Sequence, residues 1–223
     1  DEVLPHLFEK SVAYVKERAK KKKPFFLYLP LPAPHTPIVP VPPYKDASKM
    51  NPYADFMMQV DGHMGELFAA IKEAGVDENT LVFFTSDNGC SNQANFEKLA
   101  EFGHHPSAGF RGHKADIYEG GHRVPFIARW PDKIPAGVVD NQTLLSAVDL
   151  VPTFCELAGA TMPAGYTPDG VSQVEAFSGN AIPTRDKPLF WKATSPWPAP
   201  KNRPFHWGSY AVVDDRWKLI GNA

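Results

Sequence analysis

Asp87 and Asn88, side by side in Thr85-Ser86-Asp87-Asn88-Gly89, offer a carboxylate and an amide carbonyl within one tight turn. Both are hard oxygen donors of the kind that Ca²⁺ or Mg²⁺ prefers. An ordinary Asn-Gly reversal needs the same residues, so the turn alone leaves both readings open. His35 stands between Pro34 and Thr36 in a proline-dense loop. Imidazole titrates near neutrality and a stiff loop limits its wandering, which makes His35 a candidate positioned acid; a lone loop histidine can also simply face solvent. Lys114 lies in Arg111-Gly112-His113-Lys114-Ala115-Asp116-Ile117-Tyr118-Glu119-Gly120-Gly121-His122-Arg123-Val124-Pro125, dense in cations beside a flexible Gly-Gly turn. Such a loop can hold an anion. The alternative is a solvated basic loop whose cations pair with Asp116 and Glu119, exposed pairs worth about 0–1 kcal/mol.

The elements that must position these residues follow from periodicity and punctuation. Leu4, Phe8, Val12, Val15 and Ala19 recur at helical spacing; the lysines from Lys20 to Lys23 suit a helix C-terminus, and Pro24 ends the pattern. Phe25-Phe26-Leu27-Tyr28-Leu29 is an uninterrupted apolar run, as expected of a strand covered on both faces of a parallel sheet. Seven prolines between Pro30 and Pro43 then stiffen the loop that carries His35. Residues 52–74 read as an amphipathic helix with Phe56, Val60, Met64, Leu67 and Ile71 on one stripe and Gly75 as its stop.

Leu81 to Thr85 is a second buried-type strand, and the order strand, helix, strand implies a right-handed crossover in a mostly parallel sheet. The fold class is therefore α/β, with helices flanking the sheet. Ligands in such sheets gather outside the carboxyl ends of the strands, where His35 and Asp87-Asn88 both fall. Arg123 to Trp130 predicts a third strand, Ser146 to Gly159 a further helix, and Tyr210 to Ile220 a hairpin turning at Asp214-Asp215. Residues 1–160 form one unit on this reading, and 161–223 a loop-rich segment that leads into a small β-containing subdomain.

Composition narrows the function classes. With 223 residues, 43% hydrophobic, 22% charged and a formal charge of −2, the chain is globular and carries no electrostatic bias toward nucleic acid. Neither Cys90 nor Cys155 sits in a Cys-x-x-Cys. No apolar run approaches the ~20 residues that span a bilayer, and no signal segment is visible at Asp1 to Pro5.

The ordered set Phe25 to Pro37 (FFLYLPLPAPHTP), Thr85 to Gly89 (TSDNG) and Arg111 to Pro125 (RGHKADIYEGGHRVP) closely resembles the type I, formylglycine-dependent sulfatases of the alkaline-phosphatase superfamily. The likeness runs from about Pro24 through Gly159 and, more weakly, through Asp215-Arg216-Trp217-Lys218-Leu219-Ile220. It implies an alkaline-phosphatase-like core with the start of a C-terminal subdomain. By position, Asp87 and Asn88 match metal ligands, usually to Ca²⁺ and sometimes Mg²⁺. His35 matches the residue that protonates the departing alcohol oxygen, and Lys114 the residue that holds the sulfate. His104, His105 and Arg111 are candidates to touch a sugar or aglycone, with an exposed polar loop as the alternative. The implied substrate is a sulfated small molecule or carbohydrate, in a periplasmic, extracellular or lysosome-like compartment.

The family nucleophile, a cysteine or serine in Cys/Ser-x-Pro/Ala-x-Arg that is oxidised to formylglycine, has no match. Ser107 to Arg111 has glycine at the third position, and Ala181 to Arg185 lacks a nucleophile. The family's paired aspartates and Lys-x-His segment are also missing. The expectation is that an N-terminal part of the same protein carries them, and that this chain alone is inactive. A phosphoester or phosphonate hydrolase of the same superfamily, or a non-catalytic module, are the competing readings.

Overall fold

The computed structural model describes residues 2–179, 185–192, 209–214 and 217–222. Helix α1 (Val3–Lys20) buries Leu4, Phe8, Ser11 and Val15, a stripe that repeats every three to four residues, and places Arg18 and Lys20 in its last turn. Helix α2 (Pro52–Glu73) begins where Asn51 accepts a hydrogen bond from Ala54 N at 3.0 Å with Pro52 behind it. It stops before Gly75 at φ +70°. Phe56, Val60, Leu67 and Ile71 of α2 meet Leu4, Phe8 and Val15 of α1 in the main core.

Two buried polar side chains of α2 fasten the proline-rich loop. Gln59 Oε1 accepts from Val41 N at 3.0 Å, and the Asp55 carboxylate accepts from Asp46 N and Ser48 N, each at 2.8 Å. Burial opposes ionisation of Asp55, but the hydrogen bonds from Ser48 and Asp46 outweigh it and hold its carboxyl below the usual range. Asp55→Ala strands two backbone donors. It is expected to cost about 1–3 kcal/mol in urea unfolding, and an unchanged midpoint would show that the loop is held otherwise. Because the folded carboxyl titrates lower than the unfolded one, this contribution is complete at neutral pH and is lost as pH falls through the folded value.

The architecture is α/β, as expected, with helices packed on small sheets. Strand β1 (Val82–Thr85) pairs antiparallel with β2 (Phe126–Arg129) in the register Val82↔Arg129 to Thr85↔Phe126. Arg129 clasps Asp77 through two 2.8 Å bonds, and Thr85 donates to Pro125 O at 2.9 Å. The expected third strand is thus present, but its ladder is antiparallel.

Phe25–Leu29 joins no ladder among the described residues. Phe25, Leu27 and Leu29 pack on the main core while Phe26 and Tyr28 are 63% and 77% exposed. An apolar run fixes neither which faces are covered nor which strand lies beside it, so the parallel strand–helix–strand crossover expected there is not formed by these elements.

After β2, a capping box at Ser146 and Asp149 opens a 3₁₀ turn (Ala147–Asp149), and α5 (Leu150–Leu157) follows, ending before Gly159 at φ +62°. Asp149, fully buried, also accepts from Val171 N at 2.9 Å and pairs with Arg185. Strands β3 (Leu189–Lys192), β4 (Ser209–Asp214) and β5 (Trp217–Asn222) form an antiparallel sheet in that order. The β4–β5 hairpin matches the expectation, although Asp215 of its turn lies outside the described residues.

Candidate functional site

Strand β1 ends at Thr85, so its direction delivers Ser86-Asp87-Asn88-Gly89 beyond the sheet edge. Ser86 Oγ donates to Asn88 O at 2.9 Å and closes the turn. Asn88, half-buried, donates its amide Nδ2 to Gly89 O at 3.2 Å, and its carbonyl Oδ1 has no hydrogen-bond partner among the described residues. Asp87 is exposed, and its carboxylate has no hydrogen-bond or ion-pair partner among the described residues. Two adjacent hard oxygen donors without hydrogen-bond partners suit part of a Ca²⁺ or Mg²⁺ shell, which takes six to eight oxygens for Ca²⁺. No group of three or more His, Cys, Asp or Glu able to hold a metal occurs among the described residues.

The loop from Arg111 to His122 lies against this turn through backbone atoms. Gly89 N donates to Gly121 O at 2.8 Å, and Lys114 N donates to Cys90 O at 2.9 Å. The Gly-Gly pair is not a flexible turn: Gly120 and Gly121 are buried in α4 (Glu119–His122). A Cβ on Gly89 would stand 1.8 Å from Gly120 O, one on Gly120 2.1 Å from Gly112 O, and one on Gly121 2.0 Å from Asp116 O. Glycine serves close backbone approach here, a use that sequence alone does not separate from conformational freedom. Lys114 is half-buried. The local pairing expected of a merely solvated loop is only part of the picture. Asp116 does accept from His113 N at 3.0 Å, but Glu119 reaches Lys218 of β5, 99 residues away, at 2.8 Å.

His35 reaches the same neighbourhood from the proline-rich loop. Thr36 Oγ1 donates to Gln93 Oε1 at 3.0 Å, in the 3₁₀ turn (Asn92–Ala94) just past Cys90, and Asn51 Nδ2 donates to Ala94 O at 2.9 Å. His35 itself is exposed, and its Nδ1 donates to Thr36 O at 2.7 Å, while Nε2 has no hydrogen-bond partner among the described residues. The structure thus ties the segments of His35, Asp87-Asn88 and Lys114 to one another. It does not gather His104 and His105, both exposed after the short helix α3 (Phe96–Ala100). Arg111 stands at the root of that loop with its guanidinium 3.8 Å over the Tyr118 ring. Of the two near misses to the nucleophile motif, Ser107 donates its hydroxyl to Gly112 O at 3.1 Å, while Ala181 to Thr184 lie outside the described residues.

Sequence reasoning missed Tyr53, whose hydroxyl receives the Cys90 thiol at 3.3 Å. Burial, with the Cys90 contact, raises Tyr53; burial also raises the Cys90 thiol against the hydrogen bond it makes to Tyr53. The raised pKa of the Cys90 thiol disfavours the reactive thiolate. Its alkylation by iodoacetamide is expected to be slower than that of free cysteine at about pH 7.5, and a rate at or above the free thiol's would contradict this.

A groove of about 1040 Å³ between α1 and α2, lined by His6, Glu9, His63 and Glu66 among others, contributes none of the site residues. No helix among the described residues is long and apolar enough to cross a membrane.

Two family models match: Sulfatase over residues 5–160, and N-sulphoglucosamine sulphohydrolase, C-terminal, over residues 111–222. The N-acetylgalactosamine-6-sulfatase of Canis lupus familiaris is 32% identical over 188 residues, covering 82% of this chain and 34% of that protein. The N-acetylgalactosamine-6-O-sulfatase of Bacteroides thetaiotaomicron is 33% identical over 172 residues, 74% of this chain and 33% of that one. A solved structure described in terms of glycosaminoglycan metabolism by Bacteroides thetaiotaomicron superposes with a TM-score of 0.81 at 28% identity, over 99% of this chain and 43% of that chain. The chain spans about a third of the length of the curated relatives it matches. The Sulfatase model covers well over half of the sequence, and with it the chain belongs to the sulfatase family, within the alkaline-phosphatase-like superfamily.

Proposed function

We propose that this chain supplies one side of the active site of a hydrolase acting on sulfate monoesters of a carbohydrate. The observation that carries the proposal is the pair of backbone bonds, Gly89 N to Gly121 O and Lys114 N to Cys90 O, that seats the Lys114 loop on the Asp87-Asn88 turn. A carbohydrate substrate is supported by the two N-acetylgalactosamine sulfatases among the relatives. Residues 1–160 carry this half-site, and 161–223 lead into the C-terminal subdomain. His104, His105 and Arg111, on the exposed loop, are the residues we assign to sugar contact.

In this reading Asp87 and Asn88 Oδ1 hold Ca²⁺ or Mg²⁺ together with oxygens from elsewhere in the protein. Such an ion offsets charge on the sulfuryl oxygens when bound. Lys114 contributes a further positive charge to the sulfate group in a partly water-excluded setting, where it acts more strongly than in bulk water. His35, with Nδ1 occupied by Thr36 O, gives a proton from Nε2 to the departing alcohol oxygen and spares the reaction a free alkoxide. The nucleophile, a formylglycine, belongs to a segment outside this sequence, and the compartment is periplasmic, extracellular or lysosome-like.

The test is sulfate release from N-acetylgalactosamine 6-sulfate by the whole protein, with 4-nitrophenyl phosphate as the competing substrate and this chain alone as a further sample. Sulfate release by the whole protein and none by the chain is expected. Faster turnover of the phosphate ester would transfer the assignment to phosphoester hydrolysis, and no turnover of either would favour a non-catalytic module.

A further inference from the structure

Lys218 sits on β5 with its side chain only 15% exposed, yet its ammonium is not wasted on solvent. It donates to Glu119 Oε1 at 2.8 Å and to His122 Nε2, the first and last residues of α4. The His122 ring stacks on Trp191 of β3, with centroids 4.8 Å apart and planes 27° from parallel. Arg123 adds a longer contact to Glu119 at 3.5 Å. Two strands of the C-terminal sheet therefore hold the ends of α4, while Gly121 O between those ends receives Gly89 N.

We propose that Lys218 is a positioning residue: through Glu119 and His122 it pins α4, and α4 in turn holds the Lys114 loop against the Asp87-Asn88 turn. The proposal rests on the sulfatase reading for its consequence in catalysis but not for its structural content. The arrangement is electrostatically consistent. Burial first, and the Lys218 ammonium second, hold His122 below its ordinary range against the pull of Glu119, so the ring stays neutral and Nε2 accepts from Lys218. Burial opposes ionisation of Glu119, but the hydrogen bond and charge of Lys218, with the charge of Arg123, outweigh it and hold the carboxyl below the ordinary range. The groups that face Lys218 are thus an anion and a neutral acceptor, and removing its charge leaves both half-buried acceptors without their shared donor.

The pinning is short-range and involves no new chemistry, so its effect is one of placement. Placement errors near 1 Å cost catalysis as much as about 100-fold, and a sub-ångström slackening is expected to cost about tenfold. The experiment uses the whole protein with Lys218→Met, which keeps the stem and removes the ammonium, and Glu119→Gln as a second variant that removes one of its acceptor charges. Hydrogen exchange is followed in peptides covering 86–90, 111–123 and, as a reference, α1. Activity is followed on 4-nitrophenyl sulfate.

Faster exchange in 86–90 and 111–123 by about tenfold, with α1 unchanged, is expected in both variants, together with a lower kcat at nearly constant urea midpoint. Unchanged exchange in those two segments overturns the proposal. So does a general loss of protection that includes α1, since it makes Lys218 a stabilising residue and not a positioning one. If the wild type shows no sulfate-ester turnover at all, the sulfatase reading fails, and the exchange data still decide the pinning.

Discussion

In the whole protein, His35→Ala is expected to lower kcat/KM on a sugar sulfate by about 10²–10⁴-fold and to leave turnover of 4-nitrophenyl sulfate far less affected. The difference lies in the leaving group. A sugar hydroxyl departs as a strongly basic alkoxide unless it is protonated in the transition state, whereas 4-nitrophenolate is stable enough to leave without help. His35 suits the task because Thr36 O takes Nδ1 and leaves Nε2 without a hydrogen-bond partner among the described residues, on a loop that Thr36 itself ties to Gln93. Equal losses on the two substrates would show that His35 shapes the site and does not deliver a proton. Lys114→Ala provides the contrast, since a charge on the sulfuryl group serves both substrates alike and its loss is expected to reduce both.

Gly121→Ala is expected to lower kcat/KM by about 100-fold on either substrate without unfolding the protein. The added Cβ would lie 2.0 Å from Asp116 O, far inside contact distance, and the obstacle is backbone with no rotamer to swing aside. Relief requires α4 to move off its loop, which breaks the bond from Gly89 N to Gly121 O and shifts Lys114 relative to Asp87. The buried core between α1 and α2 includes none of these residues, so circular dichroism is expected to stay native. Activity within threefold of wild type would mean that the two loops can slide without consequence.

Much of the frame was legible because its determinants are local. Asn51-Pro52 and Gly75 bracket α2 by capping chemistry, and the stripe from Phe56 to Ile71 names its buried face. The turn at Asp87-Asn88 and the hairpin near Asp214 were likewise set by residues adjacent in sequence. The errors share a different cause. Phe25 to Leu29 reads as a doubly covered strand, but the cover depends on what the rest of the fold brings alongside, and Tyr28 is left 77% exposed. Gly120-Gly121 reads as slack because nothing local says that Gly112 O and Asp116 O will press on it. Lys218 and Tyr53 were invisible for the same reason: their partners Glu119 and Cys90 lie 99 and 37 residues away, and no periodicity links them.

The join between the Lys114 loop and the Asp87-Asn88 turn is made of main-chain atoms at Gly89, Cys90, Lys114 and Gly121. Main-chain amides and carbonyls are kept by every substitution except proline, so the groups that make this fastening persist through side-chain changes that leave Gly89, Gly120, Gly121 and the Lys218 contacts to α4 intact. Segment 103–110, exposed except at Pro106 and Ser107, contributes no atom to these main-chain bonds. For an engineer this divides the surface into two kinds of ground. On the proposed reading, residues 103–110 other than Ser107, which bonds Gly112 O, can be varied to search for new sugars, while the main-chain bonds between the proposed cation turn and the Lys114 loop are left in place.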